Sequence, residues 1–269
     1  MGAKRFGGLA ATILAMTLAV PAFASDAKDD PLAAYRSGEM YSGYVTGDPS
    51  SREIQDDDMM NPSFLWVDKA AELWTTADGT AGKSCADCHG DVESLKGAAT
   101  KYPTTDAATG KFMNVELKIN DCRERQMGAA PFKFESDELL GMTTLVKLQS
   151  RGMPMNIDIT GPNEKWFKKG EEFYFTSRGQ LDLACADCHI TNEGMYMRAE
   201  KLSQGQPNGF PTYRMKWQKL GSLHRRMRGC NDNIRAEKLK GLGEDYLAVE
   251  TYISWRASGL PVETPSVRK

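Results

Sequence analysis

The sequence predicts a mainly α-helical protein built from two tandem domains that are related by duplication. The first observation is a repeated pentapeptide: Cys-Ala-Asp-Cys-His occupies Cys85–His89 and occurs again, 100 residues later, at Cys185–His189. The second is that Trp66 and Trp166 precede the two motifs at the same offset. Similarity at a fixed spacing over this length is typical of duplicated domains.

The repeated pentapeptide is the attachment motif of a c-type haem. Two thiols one helical turn apart bond to the vinyl groups of one haem, and the histidine that follows provides a proximal nitrogen to the iron. We therefore expect two covalently bound haem c groups. The expected residues are Cys85, Cys88 and His89 for haem 1, and Cys185, Cys188 and His189 for haem 2.

Helical periodicity surrounds both motifs. Apolar residues recur at helical spacing before each motif and again towards the end of each half. Both of the later stretches end at a glycine with a proline just after it, a common stop signal of helices. The order of helix, CxxCH, extended loop, distal residue and terminal helix predicts two tandem class I cytochrome c-like domains. The expected helices are Phe64–Trp74, Glu138–Ser150, Lys165–Tyr174 and Glu244–Ala257.

Residues 1–24 have the pattern of a secretory signal peptide. Lys4 and Arg5 give a basic start, an apolar stretch runs from residue 9 to residue 20, and Ala22–Ala24 forms an A-x-A cleavage site. Because CxxCH motifs receive their haem outside the cytoplasm, we expect a periplasmic protein. The apolar stretch is short for a bilayer span, and no second one follows, so we expect no membrane partner.

The mature chain is expected to divide near its middle. An N-terminal cytochrome c domain at 25–155 would hold haem 1, and a C-terminal domain at 156–269 would hold haem 2 and the active site. The segment Met153–Asn163, rich in Pro and Gly, is predicted to be the linker. The formal net charge of −2 describes no polycation, which argues against a nucleic-acid partner.

Cysteine stands in both halves where a class I cytochrome usually has its distal methionine. Four of the six cysteines belong to the CxxCH motifs, which leaves Cys122 and Cys230. Because the two occupy equivalent positions of the repeat, we favour ligation of each iron by histidine and cysteine. A Cys122–Cys230 disulfide, the default for spare cysteines in an oxidising compartment, is one alternative. Methionine ligation is the other, with Met127, Met153, Met155 and Met227 as candidates.

A cationic run precedes the second distal cysteine and has no counterpart before the first. It comprises His224, Arg225, Arg226 and Arg228. Positive charge favours the nucleophilic thiolate of a cysteine, and arginine binds oxyanions through two parallel hydrogen bonds. The loop from proximal histidine to distal cysteine is also longer in this half, 41 residues against 33. The pattern predicts an anion site beside a reactive cysteine, although pairing of arginines with haem propionates is the plainer explanation for part of the run.

These motifs resemble the SoxA family, the dihaem subunits of the SoxAX cytochromes. The likeness is carried by the paired CADCH motifs, by Arg226–Cys230 with Ile234–Glu237 after it, and by the tail from Ala257 to Lys269. It implies an L-cysteine S-thiosulfotransferase that joins thiosulfate oxidatively to a cysteine of the carrier protein SoxYZ. It further implies that soluble cytochrome c receives the electrons and that SoxX, a one-haem cytochrome, is the partner in a heterodimer.

The resemblance also implies residue roles. In the family, the cysteine that matches Cys230 is both an axial ligand and the active residue, often as a persulfide. The arginine that matches Arg226 contacts the substrate. We expect Cys122 to ligate the iron of haem 1 without taking part in turnover. Two other functions stay open: a thiosulfate dehydrogenase that forms tetrathionate, and a dihaem electron-transfer cytochrome without catalysis. Cysteine at both distal positions argues against the first, because such enzymes typically have methionine at their second haem.

The duplicated motif behind a cleavable leader gives a first prediction. The intact mass of the mature protein should exceed that of its polypeptide by two haem groups, because each CxxCH motif binds one haem through two thioether bonds. Electrospray mass spectrometry under denaturing conditions measures this directly. A mass gain of one haem, or of none, would contradict the expected architecture.

Overall fold

The computed structural model describes residues 1–2 and 30–269. Apart from its first two residues, the expected signal peptide and its cleavage site lie outside the described part of the chain. Residues 34–269 form one compact unit, which contains both CxxCH motifs. Among the described residues, no helix combines the length and the apolar character that a bilayer crossing requires.

Helices make up most of the regular structure. The α-helices are α1 (Pro49–Asp56), α2 (Phe64–Thr75), α3 (Ala86–His89), α4 (Val115–Cys122), α5 (Asp137–Leu148), α6 (Glu164–Phe175), α7 (Leu223–Asn233) and α8 (Glu244–Arg256). Short 3₁₀-helices cover Ala33–Tyr35, Val92–Leu95, Ala98–Lys101 and Gly161–Asn163, and π-helical turns cover Arg123–Met127 and Asp187–Thr191.

The strands are short. They are β1 (Arg36–Ser37), β2 (Met40–Tyr41), β3 (Thr104–Thr105), β4 (Phe112–Met113), β5 (Tyr196–Met197), β6 (Glu200–Lys201), β7 (Thr212–Arg214), β8 (Lys219–Gly221) and β9 (Ser266–Arg268). Three antiparallel pairs, β1–β2, β3–β4 and β5–β6, stand apart from a sheet of order β8-β7-β9, in which β7 pairs antiparallel with β8 and parallel with β9.

The four helices expected from periodicity are confirmed as α2, α5, α6 and α8, with ends that differ by at most two residues. Local chemistry sets the start of α5. The Ser136 hydroxyl accepts a hydrogen bond from Leu139 N, and Asp137 and Glu138 occupy the first turn, where negative charge favours a helix. α2 and α6 bury one side each, whereas α5 and α8 are buried on most sides, and in all four the apolar residues recur at helical spacing.

The sequence analysis expected an extended loop before each distal cysteine and missed the helices that carry them. Cys122 ends α4, and Cys230 lies within α7. Asn114 caps α4 by accepting from Leu117 N at 3.0 Å, and Ser222 caps α7 by accepting from Arg225 N at 3.1 Å. Both helices are polar, so their apolar periodicity is weak and the caps were the only clear local signal.

Glycine turns before the two CxxCH motifs adopt the same conformation. Gly79 and Gly179 have φ values of 70° and 71°. A Cβ at Gly79 would lie 2.3 Å from the carbonyl oxygen of Met127, and one at Gly179 would lie 2.4 Å from that of Ile234. In each half the turn before the motif therefore packs directly on the backbone that follows the distal cysteine. This equivalence is what a duplication predicts.

The main helix pairs pack closely through glycine. The α2 helix packs on α5, and α6 packs on α8. A Cβ at Gly141 would come within 2.7 Å of the carbonyl oxygen of Trp66, and one at Gly170 within 1.9 Å of that of Ala248. Each contact brings two helix backbones together beside a cluster of buried apolar residues.

The segment predicted to be a linker is packed into the protein. Met155 and Ile157 are buried in one cluster with Leu260 and Val262. Proline and glycine mark a segment without a helix, but they carry no information about its burial. The proposed boundary between residues 155 and 156 stays a prediction.

The chain after α8 connects distant parts of the sequence. Gln55 accepts from Val267 N at 3.0 Å, and Asn61 donates to the carbonyl oxygen of Pro265 at 3.0 Å. Ser42 donates to Glu263, which is also buried. These bonds join positions more than 200 residues apart and hold β9 beside β7.

The α6–α8 contact gives a prediction about stability. Gly170→Ala should lower the free energy of unfolding by about 1–3 kcal/mol, because the added methyl group would collide with the backbone of α8. Denaturant unfolding of the haem-loaded protein measures the change. Glu171→Ala, at an exposed position of the same helix, is the matched control and should change stability by less than about 0.5 kcal/mol. Equal effects of the two changes would contradict the close packing described here.

Candidate active site

A cavity of about 680 Å³ adjoins the second CxxCH motif. Its lining includes Cys185, Cys188 and His189 from the motif, and Arg226 and Cys230 from α7. The volume lies within the range of about 300–1,000 Å³ that is usual for ligand and cofactor sites. The expected attachment residues of haem 2 therefore line the same cavity as Cys230 and Arg226, the cysteine and arginine named from the sequence.

The His189 ring has a fixed orientation. Its Nδ1 lies 2.7 Å from the carbonyl oxygen of Ser203, and because a carbonyl only accepts, Nδ1 must carry the proton. This leaves Nε2 free to bind a metal, the usual arrangement of a ligating histidine. A Cβ at Gly205 would lie 3.0 Å from the ring, so the glycine allows the backbone to pass close over it.

The donor set fits a c-type haem. His189 and Cys230 both line the cavity, and His189 lies close enough to lower the pKa of the Cys230 thiol, so the two predicted axial ligands of haem 2 are neighbours. Burial raises the pKa of the Cys185 and Cys188 thiols, which favours their protonated forms before a haem is attached. The cavity could therefore hold a haem through two thiols, an imidazole nitrogen and a cysteine sulfur.

Positive charge dominates the surroundings of Cys230. Burial raises the pKa of this thiol, but the Arg226 guanidinium, the His189 ring and the Arg214 guanidinium together outweigh it, and the pKa falls to about 7. Arg226 lies one helical turn before Cys230, which places both side chains on one side of α7. A thiol in this environment has substantial thiolate character at neutral pH.

Arg214 is a residue of the site that the sequence analysis missed. It ends β7, lines the cavity, and has a side chain that is only 11% exposed. Glu200, on β6, lies 3.6 Å from the Arg214 guanidinium and 3.8 Å from that of Arg226. Arg214 stands 16 positions before Cys230, outside the cationic run, so sequence proximity gave no signal.

The cationic run itself separates into different roles. His224 is buried: its Nδ1 accepts from Leu242 N at 2.9 Å, so its Nε2 carries the proton and donates to Glu250 at 2.9 Å. Arg225 points to Glu135, 3.5 Å away. Neither residue lines the cavity, nor does Arg228, so Arg226 is the member of the run that does.

The first CxxCH motif is more exposed. Cys88 and His89 are exposed, and the His89 ring lies 5.8 Å from that of Trp74, whose Nε1 donates to the carbonyl oxygen of Gly90 at 2.9 Å. Burial raises the pKa of the Cys85 thiol, and the nearby Cys122 makes a smaller contribution in the same direction. The expected haem 1 residues thus lie in one region of the fold.

Cys122 lacks the electrostatic environment of Cys230. Burial raises the pKa of the Cys122 thiol. The two arginines that follow it are paired: Arg125 with Asp121 at 2.5 Å, and Arg123 with Asp78 at 2.6 Å. The equivalent positions of the two halves therefore differ in charge.

The alternatives for the distal positions gain little support. Cys122 and Cys230 are both free thiols. Met127 and Met155 are buried in the protein interior, and Met153 packs against Gly97. Met227 lines the cavity beside Cys230 and is the candidate methionine nearest to an expected haem.

A CxxCH turn whose histidine faces a distal side chain across a cavity is the arrangement of a c-type cytochrome. A family model described as "SoxA/TsdA, cytochrome c domain" matches residues 69–155, in agreement with a cytochrome c fold and covalent haem c. The chain belongs to the SoxA family of L-cysteine S-thiosulfotransferase subunits, as the following similarities show. The resemblance and the enzyme class expected from the sequence are thereby confirmed.

Two curated relatives carry the name "L-cysteine S-thiosulfotransferase subunit SoxA". The protein of Pseudaminobacter salicylatoxidans is 44% identical over 86% of this chain and 82% of its own length. That of Paracoccus pantotrophus is 39% identical over 98% of both chains. A solved structure described as "Crystal structure of SoxXA from P. pantotrophus" is similar with a TM-score of 0.83 and 42% identity, and covers 86% of this chain and 87% of that one.

The buried position of His224 gives a prediction. His224→Leu should destabilise the protein by about 1–3 kcal/mol, because Leu242 N loses its hydrogen-bond partner inside the fold and Glu250 keeps only the bond from Asn114. The absorption spectrum of the haem-loaded protein should stay unchanged, since His224 is no iron ligand. Thermal unfolding and electronic absorption measure the two effects. A change of iron ligation in the folded variant would contradict the structural role described for His224.

Proposed function

We propose that this protein couples thiosulfate oxidatively to a cysteine of the carrier protein SoxYZ. The observation that carries the proposal is the cavity in which Cys230 meets Arg226 beside the second CxxCH motif. In the overall reaction, the sulfane sulfur of thiosulfate forms a sulfur–sulfur bond with the carrier cysteine. The carrier thiol loses its proton and two electrons leave: R–SH + S₂O₃²⁻ → R–S–S–SO₃⁻ + H⁺ + 2e⁻.

The residues of the cavity suit the two reacting sulfur atoms. Arg226 would hold the sulfonate oxygens of thiosulfate through its planar fork of donors. The Cys230 thiolate would bond to the sulfane sulfur as two electrons leave, and the carrier thiolate would then attack that sulfur and release Cys230. A haem bound in this cavity would supply the electron acceptor. Soluble cytochrome c would remove the electrons, one at a time.

We infer two haem c groups in two domains related by duplication, at 25–155 and 156–269. The matching glycine turns at Gly79 and Gly179 and the repeated motif support this. The proposed attachment residues are Cys85, Cys88, Cys185 and Cys188, and the proposed iron ligands are His89 with Cys122 and His189 with Cys230.

The partners and the location follow from the same likeness. The similar solved structure is described as SoxXA, which supports a heterodimer of this chain with a SoxX cytochrome. The leader pattern of residues 1–24 and the CxxCH motifs support export to the periplasm. The SoxYZ carrier is proposed from the family likeness.

The proposed function is tested with the haem-loaded protein, assembled with SoxX and supplied with thiosulfate, SoxYZ and oxidised cytochrome c. Mass spectrometry of SoxYZ should show an added thiosulfonate on its cysteine, with two cytochrome c molecules reduced per coupling. Formation of tetrathionate with an unmodified carrier would instead identify a thiosulfate dehydrogenase. Absence of any thiosulfate-dependent reduction would leave an electron-transfer cytochrome.

Cys230→Ala should reduce the coupling rate by more than about a thousandfold, because the variant lacks the sulfur that bonds to thiosulfate. Both haems should remain attached, since Cys230 forms no thioether bond. The coupling assay and the intact mass give the two readouts. Coupling at a near-normal rate in a folded, SoxX-bound variant would show that Cys230 is only an iron ligand and has no catalytic role.

Cys122→Met is the matched change in the first half. It should raise the reduction potential of haem 1, because a neutral ligand stabilises ferric iron less than a thiolate does. The coupling rate should fall far less than in Cys230→Ala, since Cys122 lacks free cationic neighbours. Redox titration and the coupling assay measure both. Complete loss of coupling in a folded variant would place haem 1 in the catalytic step.

A further inference from the structure

Arg214 has unused hydrogen-bond donors that reach the cavity. Its backbone is held in the middle strand of the three-stranded sheet, in register with Lys219 and Arg268. Its side chain is 11% exposed and forms no hydrogen bond with any residue from 30 to 269. A guanidinium group has five donors, and leaving them without partners at a buried position is costly. The arrangement therefore calls for a ligand.

The charges around Arg214 are unequal. The only acidic side chain paired with it in the described part of the chain is Glu200, whose other oxygen binds Lys216. The distances from Glu200 to Arg214 and Arg226, 3.6 and 3.8 Å, exceed the usual hydrogen-bond range of about 2.7–3.2 Å. The Glu200 carboxylate thus lies near three cationic side chains, Arg214, Lys216 and Arg226, and forms no direct hydrogen bond with either guanidinium group.

The guanidinium groups of Arg214 and Arg226 lie close to one another at the wall of the cavity. Burial and the nearby Arg226 charge lower the pKa of Arg214 to about 10, which still leaves it cationic at neutral pH. Both arginines line the same cavity as Cys230, and both approach the same oxygen of Glu200. An anion bound between them would therefore be next to Cys230.

We propose that Arg214 is a second substrate-binding residue, which forms with Arg226 a clamp of two guanidinium groups for a sulfur–oxygen dianion. Glu200 acts as the counter-ion that separates and orients the pair. The proposal rests on the proposed function for the identity of the dianion, thiosulfate. The clamp adds Arg214 to the residues that bind thiosulfate. It also explains a selectivity for dianions, because two cations attract a dianion more strongly than a monoanion.

Arg214→Gln in the complex with SoxX tests the clamp. The KM for thiosulfate in coupling, and its dissociation constant in titration calorimetry without carrier, should both rise by about ten- to a hundredfold, the usual effect of losing a hydrogen bond to a charged group. The haem potential and absorption should stay unchanged. Arg214→Lys keeps the charge without the fork and should bind thiosulfate with intermediate affinity; it also serves if the glutamine variant fails to fold.

Two further variants complete the test. Arg225→Gln is the matched control. Arg225, like Arg214, lies near the ring of Trp217, at 4.4 Å from the ring centroid. Its guanidinium pairs with Glu135, however, and does not line the cavity. Arg225→Gln should leave thiosulfate affinity at the wild-type value. Glu200→Gln should tighten thiosulfate binding several-fold. Because removing one negative charge favours a dianion more than a monoanion, the variant should also show a higher preference for thiosulfate over nitrate, the competing monoanion.

The outcomes separate the clamp from the proposed function. If Arg214→Gln and Arg214→Lys bind thiosulfate normally but shift the potential of a haem, Arg214 pairs with a propionate and the clamp is wrong. Normal affinity with a normal potential also overturns it. If the wild-type complex binds thiosulfate, loses affinity in Arg214→Gln and yet never modifies SoxYZ, the clamp stands and the proposed function fails.

Discussion

The opposition of His189 and Cys230 across one cavity is the constraint on which the second half of the structure depends. The histidine belongs to a turn and the cysteine to α7, 41 residues later, so neither local sequence nor one helix can hold them in place. Two contacts do so. Ser203 fixes the imidazole from one side, and the Gly179 turn packs on the backbone at Ile234, just beyond Cys230. A cofactor that bonds to both ends would complete a frame that the polypeptide has already set.

The two halves share this frame and differ in charge. The Gly79 turn packs on the chain after Cys122 as the Gly179 turn does after Cys230. Around Cys122, each following arginine has its own carboxylate, whereas Arg214 and Arg226 share Glu200. The same packing of a turn on the chain after the cysteine can thus support two sites of unequal reactivity. The backbone sets the position of each distal cysteine sulfur. The number of carboxylates that neutralise the nearby arginines sets how strongly positive charge favours the thiolate.

The sequence predicted those features whose signal is local. The CxxCH motifs are contiguous, and apolar residues recur at helical spacing in α2, α5, α6 and α8, so spacing alone located them. Arg226 was also named, because the family resemblance matches it to the arginine that contacts the substrate. His224, six residues before Cys230, lies on a different side of α7, and the cationic run concealed this difference. Arg214 could not be found, since its place near Cys230 depends on a strand pairing with the distant segment Ser266–Arg268.

That strand pairing also has a consequence for how the molecule folds. The segment beside β7 is held by Gln55, Asn61 and Ser42, through hydrogen bonds that close loops of more than 200 residues. Closing long loops costs chain entropy before the contacts form, and proteins rich in such contacts fold slowly. The CxxCH motifs, by contrast, are local and accessible in an unfolded chain. We therefore expect haem attachment to precede the ordering of β7, with the anion-binding arginines assembled among the last parts of the fold.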